Sequence, residues 1–328
     1  RGMALKTLEA ADNGLTSLEP LQGMPLEVLN VEQNLIRDLS PLKEMPLREL
    51  IMGGNAVTDL SPLRGMPLEV LNVSYNDVRD LAPLRGAPLV HLWAWMCNVS
   101  SLEPLRGMPL TLVEVAGNPL SSIEPLAGMA LRTLKFDRTR VADLSPVRGM
   151  PLEMLQMSET PVEVLHPIAS CTTLGHLAME RTLVHDLGPI AGLRLNVLII
   201  DETPVENPAP LASLPLRELR VDSSRISSIG PLRDLSLTHL SVAGTDVDDL
   251  TGIDVQRLRG CCVAHTPVHD LSPLRGARLD RLDIRGTPVH DLSPLDPPPA
   301  SIRLTFDELD IDHVAETARR WRSKGEED

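Results

Sequence analysis

The chain has 328 residues, of which only 2% are aromatic, and its formal net charge at pH 7 is −14. This acidity argues against a nucleic-acid partner, which normally needs a basic protein surface. No apolar run approaches the roughly 20 residues that span a bilayer, so we expect no membrane insertion.

Four cysteines, Cys97, Cys171, Cys261 and Cys262, form neither a CxxC pair nor a zinc-ligand spacing. A few unpatterned cysteines are typical of a reducing compartment. The sequence also shows no signal peptide. It therefore predicts a cytoplasmic protein, with a secreted or cell-surface location as the alternative.

A proline recurs along almost the whole chain every 21 residues, apart from one step of 22 between Pro167 and Pro189. Such a fixed period is the sequence signature of a solenoid. The pattern gives about 14 repeats, with Gly252 in the one slot that lacks proline. The prolines are Pro20, Pro41, Pro62, Pro83, Pro104, Pro125, Pro146, Pro167, Pro189, Pro210, Pro231, Pro273 and Pro294.

Each repeat predicts a short strand followed by an irregular return. Leu29 and Val31 alternate with polar neighbours, as a strand with one buried face requires. Pro41 lacks an N–H donor and fixes φ, so the side opposite the strand should be extended or 3₁₀ rather than α-helical. One repeat cannot fold alone, so neighbouring repeats are expected to stack. The residues expected to point inward are Leu26, Val31, Ile36, Leu39 and Leu42.

The ninth position of the repeat changes type along the chain. It holds asparagine or Cys97 in the first half and threonine or Ser224 in the second. A buried side chain here is expected to bond backbone groups that the turn leaves unpaired. We interpret the change as one continuous solenoid over residues 1–295 with an altered ladder. The column reads Asn13, Asn34, Asn55, Asn76, Cys97, Asn118, Thr139, Thr160, Thr182, Thr203, Ser224, Thr245, Thr266 and Thr287.

The repeat LxxLxVxx(N/T)xVxDLSPLxGMP resembles the leucine-rich repeats of bacterial internalin-type proteins. The wording DLSPLRGMPLEVL at Asp59–Leu71 also resembles the repeat arrays of planctomycete-type serine/threonine kinases. The resemblance covers Leu5 to Leu295. It implies an α/β solenoid, mostly β, that is a right-handed coil with a parallel concave sheet and a 3₁₀ or extended convex side.

The resemblance further implies protein–protein recognition, and the chain itself has no HRD motif and no Gly-rich loop of a kinase. We therefore predict a non-enzymatic recognition scaffold within a larger signalling protein. Because Arg1-Gly2-Met3 matches Arg64-Gly65-Met66 in the middle of a later repeat, we expect an additional domain upstream of Arg1. The alternative is a regulatory or substrate-selecting domain of an enzyme whose catalytic part is absent from this chain.

The fifth repeat is the exception on the predicted concave face, because it places two tryptophans at outward strand positions. Exposed Trp with Tyr and Met is typical of an interface anchor for a protein or peptide. Local packing of the rings on one another is the alternative. The predicted binding residues are Trp93, Trp95, Tyr75, Met96, His91, Ile51, Asn72 and Lys135. A second candidate surface in the C-terminal half has Ile199, Arg220, Arg281 and Arg285 at outward positions.

Other chemistry is not indicated. His185, His269 and His290 share one column, which is more typical of a solvated surface beside aspartates than of a metal site. His239, His265 and Cys262 are expected near the concave face in adjacent repeats, but their columns differ, which does not favour a metal site. No catalytic triad can be assigned, and we predict no catalytic residues, metal or cofactor.

Residues 296–328 are predicted to cap the solenoid with a strand and a helix. Ile302, Leu304 and Phe306 can form a last strand after the proline run that follows Asp296. One face of a helix is apolar and would cover the exposed core. Its residues are Ile311, Val314, Ala315, Ala318 and Trp321.

Overall fold

The computed structural model describes residues 5–295 and 302–306. The chain divides into two compact units, Arg1–Thr173 and Leu174–Asp328. Both are built from one repeated coil, in which a three-residue strand leads through a turn and an extended stretch to a 3₁₀ helix.

In the first unit, eight parallel strands pair in chain order and in register, so that Leu29 lies opposite Leu50 and Leu50 opposite Leu71. The middle residue of β2 to β8 is buried, and its neighbours point to the other face of the sheet. The strands are β1 (Thr7–Glu9), β2 (Val28–Asn30), β3 (Glu49–Ile51), β4 (Val70–Asn72), β5 (His91–Trp93), β6 (Leu112–Glu114), β7 (Thr133–Lys135) and β8 (Met154–Gln156).

The opposite side of each coil in the first unit carries a short 3₁₀ helix. Proline stands at the start of every one, where its missing N–H donor is not needed. The helices are Glu19–Leu21, Ser40–Leu42, Ser61–Leu63, Ala82–Leu84, Glu103–Leu105, Glu124–Leu126, Ser145–Val147 and His166–Ser170. The last of these is longer and lies where the repeat gains its extra residue.

The second unit has seven parallel strands, and Gly252 explains its one irregular coil. With glycine at φ 96° in the proline slot, no 3₁₀ helix is described between β12 and β13. The strands are β9 (His176–Ala178), β10 (Val197–Ile199), β11 (Glu218–Arg220), β12 (His239–Ser241), β13 (Gly260–Cys262), β14 (Arg281–Asp283) and β15 (Arg303–Thr305). The 3₁₀ helices are Gly188–Ile190, Ala209–Ser213, Gly230–Leu232, Ser272–Leu274 and Ser293–Leu295.

The core is a stack of aliphatic columns, as the repeat predicts. Leu26, Val31, Ile36, Leu39 and Leu42 are each no more than 1% exposed. Because every coil repeats these columns, each side chain packs against its equivalents in the coils before and after it. Neighbouring coils thus share the burial that a single coil could not supply.

The side chains at the ninth position hydrogen-bond to backbone groups of the turn, but asparagine and threonine do so differently. Asn76 donates from Nδ2 to the carbonyl oxygens of Met52 and Val73, both at 3.0 Å, and its Oδ1 accepts from the Val57 amide at 2.9 Å. Thr160 instead donates its hydroxyl within its own coil, to Met157 O at 2.6 Å. The asparagine ladder therefore joins adjacent coils, whereas this threonine bond stays within one coil.

Where the repeat carries aspartate in the DLSPL segment, its carboxylate accepts from the amide two residues further on; in other coils Ser or Asn takes this place, as at Ser101 and Asn207. Asp59 Oδ1 accepts from the Ser61 amide at 2.8 Å, and hydrogen bonds from Ser61 lower the pKa of the Asp59 carboxyl. Asp249 does the same with the Thr251 amide at 2.7 Å, and its pKa is lowered likewise. These carboxylates therefore have a structural role.

The sequence-based expectations for the fold are confirmed in most respects. The described ranges contain parallel strands and 3₁₀ helices and no α-helix, and β15 is the predicted last strand. None of their helices has the length and apolar character needed to cross a bilayer. The predicted capping helix around Ile311 to Trp321 lies outside the described residues, and the single solenoid over residues 1–295 stays a prediction.

Candidate functional site

The outward positions of the strands form what we call the sheet face. They are the first and third residues of each strand and the second residue after it. In the fifth coil these positions hold His91, Trp93 and Trp95. All three side chains are half-buried, so the sheet face here presents large rings that the core does not enclose.

Trp93 lies between polar neighbours on the adjacent strands. Its strand partners are Asn72 on β4 and Glu114 on β6. Its ring meets the imidazole of His91 edge-on, with centroids 5.7 Å apart and an interplanar angle of 71°. Such edge-to-face contacts hold aromatic rings in a defined orientation. Trp93 is therefore supported from one side and open on the other.

A charged pair lies beside these rings. Lys135 Nζ is 2.9 Å from Glu114 Oε1, and the two side chains are only 20% and 7% exposed. The same ammonium group lies 5.9 Å from the centroid of the Trp95 ring, within the range of a cation–π contact. Lys135 thus contacts both the Trp95 ring and the Glu114 carboxylate.

The indole nitrogen of Trp95 is anomalous. Trp95 Nε1 is buried, yet it donates to no acceptor in the part of the chain that the structure describes. Buried polar atoms are nearly always paired, and a lone one costs about 1–3 kcal/mol. Ser224 Oγ, in the ninth-position ladder, is unpaired in the same way, so this feature by itself does not mark a binding residue.

Tyr75 and Met96 lie beyond the ends of β4 and β5 and enlarge the surface that the tryptophan rings form. Their exposed fractions are 55% and 52%. The Tyr75 amide donates to Trp95 O at 2.7 Å, which joins this edge to the sheet face. Both residues have positive φ, 56° and 50°. Every other coil holds glycine or a polar residue in this column, as at Gly54 and Gly117. The Met96 side chain lies over Gly117 of the next coil, where a Cβ would meet its sulfur.

The edge also forms a shallow depression of about 520 Å³, lined in part by Tyr75, Met96, Asp77 and Asn98. Asn98 donates to Asp77 Oδ1 at 2.8 Å. Hydrogen bonds from Arg79 and then Asn98 lower the pKa of the Asp77 carboxyl. The depression therefore combines the side chains of Tyr75 and Met96 with polar groups, among them Arg37 and an Asp77 carboxylate that is paired with Arg79.

We call the tryptophan site the set Tyr75, His91, Trp93, Trp95, Met96, Glu114 and Lys135. Of the other predicted residues, Asn72 is the strand partner of Trp93, but its Oδ1 accepts from the Ser74 amide. Ile51 is half-buried one strand further, about 10 Å from Trp93 by the usual strand spacing. Their place in a binding surface stays a prediction.

Sequence reasoning did not single out Glu114, Asp77 or Asn98. Glu114 occupies an outward strand position like many other polar residues, and neither its burial nor its pairing with Lys135 follows from the repeat pattern. The edge pair of Asp77 and Asn98 occupies one column in successive coils. A search for adjacent polar residues in that column would have found it.

In the second unit, the outward arginines differ in their pairing. Arg220 forms an ion pair with Asp201, and Arg285 pairs with Asp283 at 2.6 Å. Arg281 is exposed. Burial, and then the nearby Asp222 carboxylate, raise the pKa of Asp201 to about 6. Ile199 is half-buried on β10.

Histidines and cysteines do not converge on a reactive centre. His185, His269 and His290 are exposed. Among residues 5–295 and 302–306, no group of three or more His, Cys, Asp or Glu side chains has the arrangement of a metal site. Cys97 is buried in the asparagine ladder, where burial raises the pKa of its thiol to about 11. Cys261 is also buried, in a leucine column as predicted.

The sequence matches no protein-family model, and a search of curated proteins finds no match. Solved structures do resemble the chain. An internalin, InlF, from Listeria monocytogenes is 24% identical, with 92% of this chain and 86% of that one covered and a TM-score of 0.75. A leucine-rich-repeat protein from Leptospira interrogans is 16% identical, with 89% and 82% covered and a TM-score of 0.61.

A third similar structure is the ectodomain of the plant membrane receptor kinase GASSHO1/SCHENGEN3 from Arabidopsis thaliana, in complex with CASPARIAN STRIP INTEGRITY FACTOR 2. It is 16% identical, with 85% of this chain and 44% of that one covered and a TM-score of 0.51. Likenesses at these identities establish a fold, and function must be argued from the site. The resemblance to kinase-associated arrays stays a prediction.

Proposed function

We propose that this chain, which is a leucine-rich-repeat protein with internalin-type repeats, recognises a protein or peptide through the tryptophan site. The observation that carries the proposal is the contiguity of Trp93 and Trp95 with Tyr75 and Met96, whose side chains are more than half exposed. Large apolar groups joined in this way are the usual anchors of protein interfaces.

The electrostatics of the site favour a polypeptide over a nucleic acid. Lys135, the cation within the site, is already paired with Glu114, and Asp77 at the edge is paired with Arg79. A chain with a net charge of −14 would repel phosphates. The proposed partner therefore offers apolar side chains to the rings, and its identity is open.

The likeness to the plant receptor ectodomain supports this proposal in one respect. That structure is a complex with a polypeptide factor, so the fold can present a surface to such a ligand. A larger signalling protein is the proposed setting, and a regulatory or substrate-selecting domain of an enzyme is the alternative. A catalytic domain encoded beside this segment in the gene would favour the alternative.

A phage-displayed library of random linear peptides, selected on the immobilised chain, supplies the probe. Peptides so selected should bind Trp93→Ala and Trp95→Ala at least tenfold more weakly than the wild type, because interface anchors contribute about 2 kcal/mol or more. Trp93→Phe should retain part of the affinity. Val164→Ala is the matched control, since Val164 is an exposed apolar residue, 57% accessible, away from the site. Unchanged affinity in both alanine variants, with circular dichroism like the wild type, would refute the proposal.

A further inference from the structure

A groove of about 360 Å³ crosses the sheet face of the second unit over strands β11 to β15. The first residues of these strands, in order, are Glu218, His239, Gly260, Arg281 and Arg303. Gly260 has no side chain, and the His239 ring leans into that space, because a Cβ on Gly260 would lie 2.6 Å from His239 Cδ2. The groove thus narrows at His239 and is walled beyond it by two arginines.

Two charged groups of the groove already have partners within the fold. Arg220 forms an ion pair with Asp201 on the preceding coil. Asp222 Oδ1 accepts from the Ser241 hydroxyl at 2.5 Å and from the Ala243 amide at 2.8 Å. These groups have little capacity left for a ligand.

Arg281 and Arg303 differ from these groups. Asp283 pairs with Arg285 at 2.6 Å, and Glu218 lies three strands from Arg281, about 14 Å by the usual strand spacing. Within residues 5–295 and 302–306, neither Arg281 nor Arg303 has an ion pair, although both are exposed. They are direct partners in the β14–β15 register. Like charges opposite each other destabilise a sheet unless an anion lies between them.

We infer that this groove binds an acidic side chain of an extended peptide, with the carboxylate between the guanidinium groups of Arg281 and Arg303. A guanidinium presents parallel N–H donors that match the two oxygens of a carboxylate. The neighbouring Gly260 leaves room for the His239 ring to lie over the sheet. This site is separate in residues and chemistry from the tryptophan site.

The charge of the groove selects a single carboxylate rather than a polyanion. Glu218, Asp222 and Asp283 also line the groove, and among the described residues none of them forms an ion pair with Arg281 or Arg303. A polymer of phosphates would bring several negative charges against these carboxylates, whereas one glutamate or aspartate side chain meets only the arginine pair. The partner is therefore a peptide with an isolated acidic residue or a short acidic pair.

The test uses the full chain and three dye-labelled peptides in fluorescence anisotropy. The probe is acetylated Gly-Ser-Glu-Glu-Ser-Gly amide, the comparison is the same peptide with Gln for Glu, and the third peptide has Gln for Glu with a free C-terminus. We expect the acidic peptide to bind at least roughly tenfold more tightly than both others, since charge-assisted bonds are the strong ones. Inorganic phosphate at equal concentration should not displace it.

Two variants and two controls locate the binding. Arg281→Gln with Arg303→Gln should weaken acidic-peptide binding at least roughly tenfold. Gly260→Ala should weaken it by displacing His239 into the groove. Arg194→Gln, an exposed arginine of the same unit, should bind as the wild type. Trp93→Ala should also bind normally, so failure here is distinguishable from failure of the tryptophan site.

Several outcomes would overturn the inference. They are equal affinity for the Glu and Gln peptides, tighter binding of the free C-terminus, displacement by phosphate, and no measurable binding by the wild type. Full binding by the double arginine variant would also place the carboxylate elsewhere.

Discussion

Lys135 and Glu114 form an ion pair of 2.9 Å on neighbouring strands, and both side chains are largely withdrawn from water. Removing charges from water is costly, and the loss is offset only while the two groups remain together. The pair therefore helps to hold the tryptophan rings in place. Disrupting it should lower the free energy of unfolding as well as the affinity for a partner.

Replacing Lys135 by methionine should lower the free energy of unfolding by about 2–4 kcal/mol, because it leaves the Glu114 carboxylate buried without a counter-charge. Combining it with Glu114→Gln should recover much of this loss. The control is Arg132→Met, which breaks the exposed pair with Glu153 and should cost less than about 1 kcal/mol. Urea denaturation followed by circular dichroism measures all three. A Lys135→Met variant as stable as Arg132→Met would contradict the supporting role.

The two ladders should differ in their contribution to stability. Asn76→Ala removes two donated bonds and one accepted bond, and it leaves the Val57 amide buried without an acceptor. We expect a loss of about 2–4 kcal/mol. Thr160→Ala removes the hydroxyl bond to Met157 O and should cost about 1 kcal/mol. Urea midpoints of the two variants give the comparison. Equal losses would show that the asparagine column does not join the coils more strongly.

Cys97 is the one thiol in the asparagine ladder, and its replacement by asparagine should stabilise the chain. The sulfur donates to Val73 O at 3.1 Å but lacks the amide oxygen that Asn76 offers to the preceding coil. By analogy, an asparagine at position 97 would accept from the Val78 amide. We expect a gain of about 1 kcal/mol, measured as a higher urea midpoint. Cys97→Ser, which supplies no such amide, is the control and should show no gain.

The fold could be predicted from the sequence because each coil repeats the same buried columns. Pro41 and its equivalents fix where the 3₁₀ helices begin, and the alternation around Leu29 fixes the strand. The outward placement of Trp93 and Trp95 follows from the same alternation. Structural features that recur in every coil can therefore be predicted from a single sequence.

The details of the site could not be predicted, because they depend on contacts between different columns. Arg220 was predicted only to lie at an outward position, and its ion pair with Asp201, two positions beyond its own column in the preceding coil, was not predicted. The ring of His239 enters the space above Gly260 for a similar reason. Side-chain length and rotamer decide such contacts, and the repeat pattern carries no information about them.

The last prediction concerns pH. Burial, followed by the Asp222 carboxylate, raises the pKa of Asp201 from 3.8 to about 6. Between about pH 4 and pH 6 the folded chain therefore holds a proton that the unfolded chain has released. Stability from this group is present below about pH 4 and is lost as the pH rises through 6. Asp201→Asn cannot ionise, so it escapes this loss.

Relative to the wild type, Asp201→Asn should gain about 1–3 kcal/mol between pH 4 and pH 7, as a shift of about two pKa units implies. Asp249→Asn is the control with the opposite sign, because hydrogen bonds from Thr251 lower the pKa of Asp249. It should lose stability relative to the wild type as the pH rises. Urea midpoints at pH 4 and pH 7 measure both differences. If the difference in stability between Asp201→Asn and the wild type does not change with pH, the Asp201 carboxyl has the same pKa in the folded and the unfolded chain.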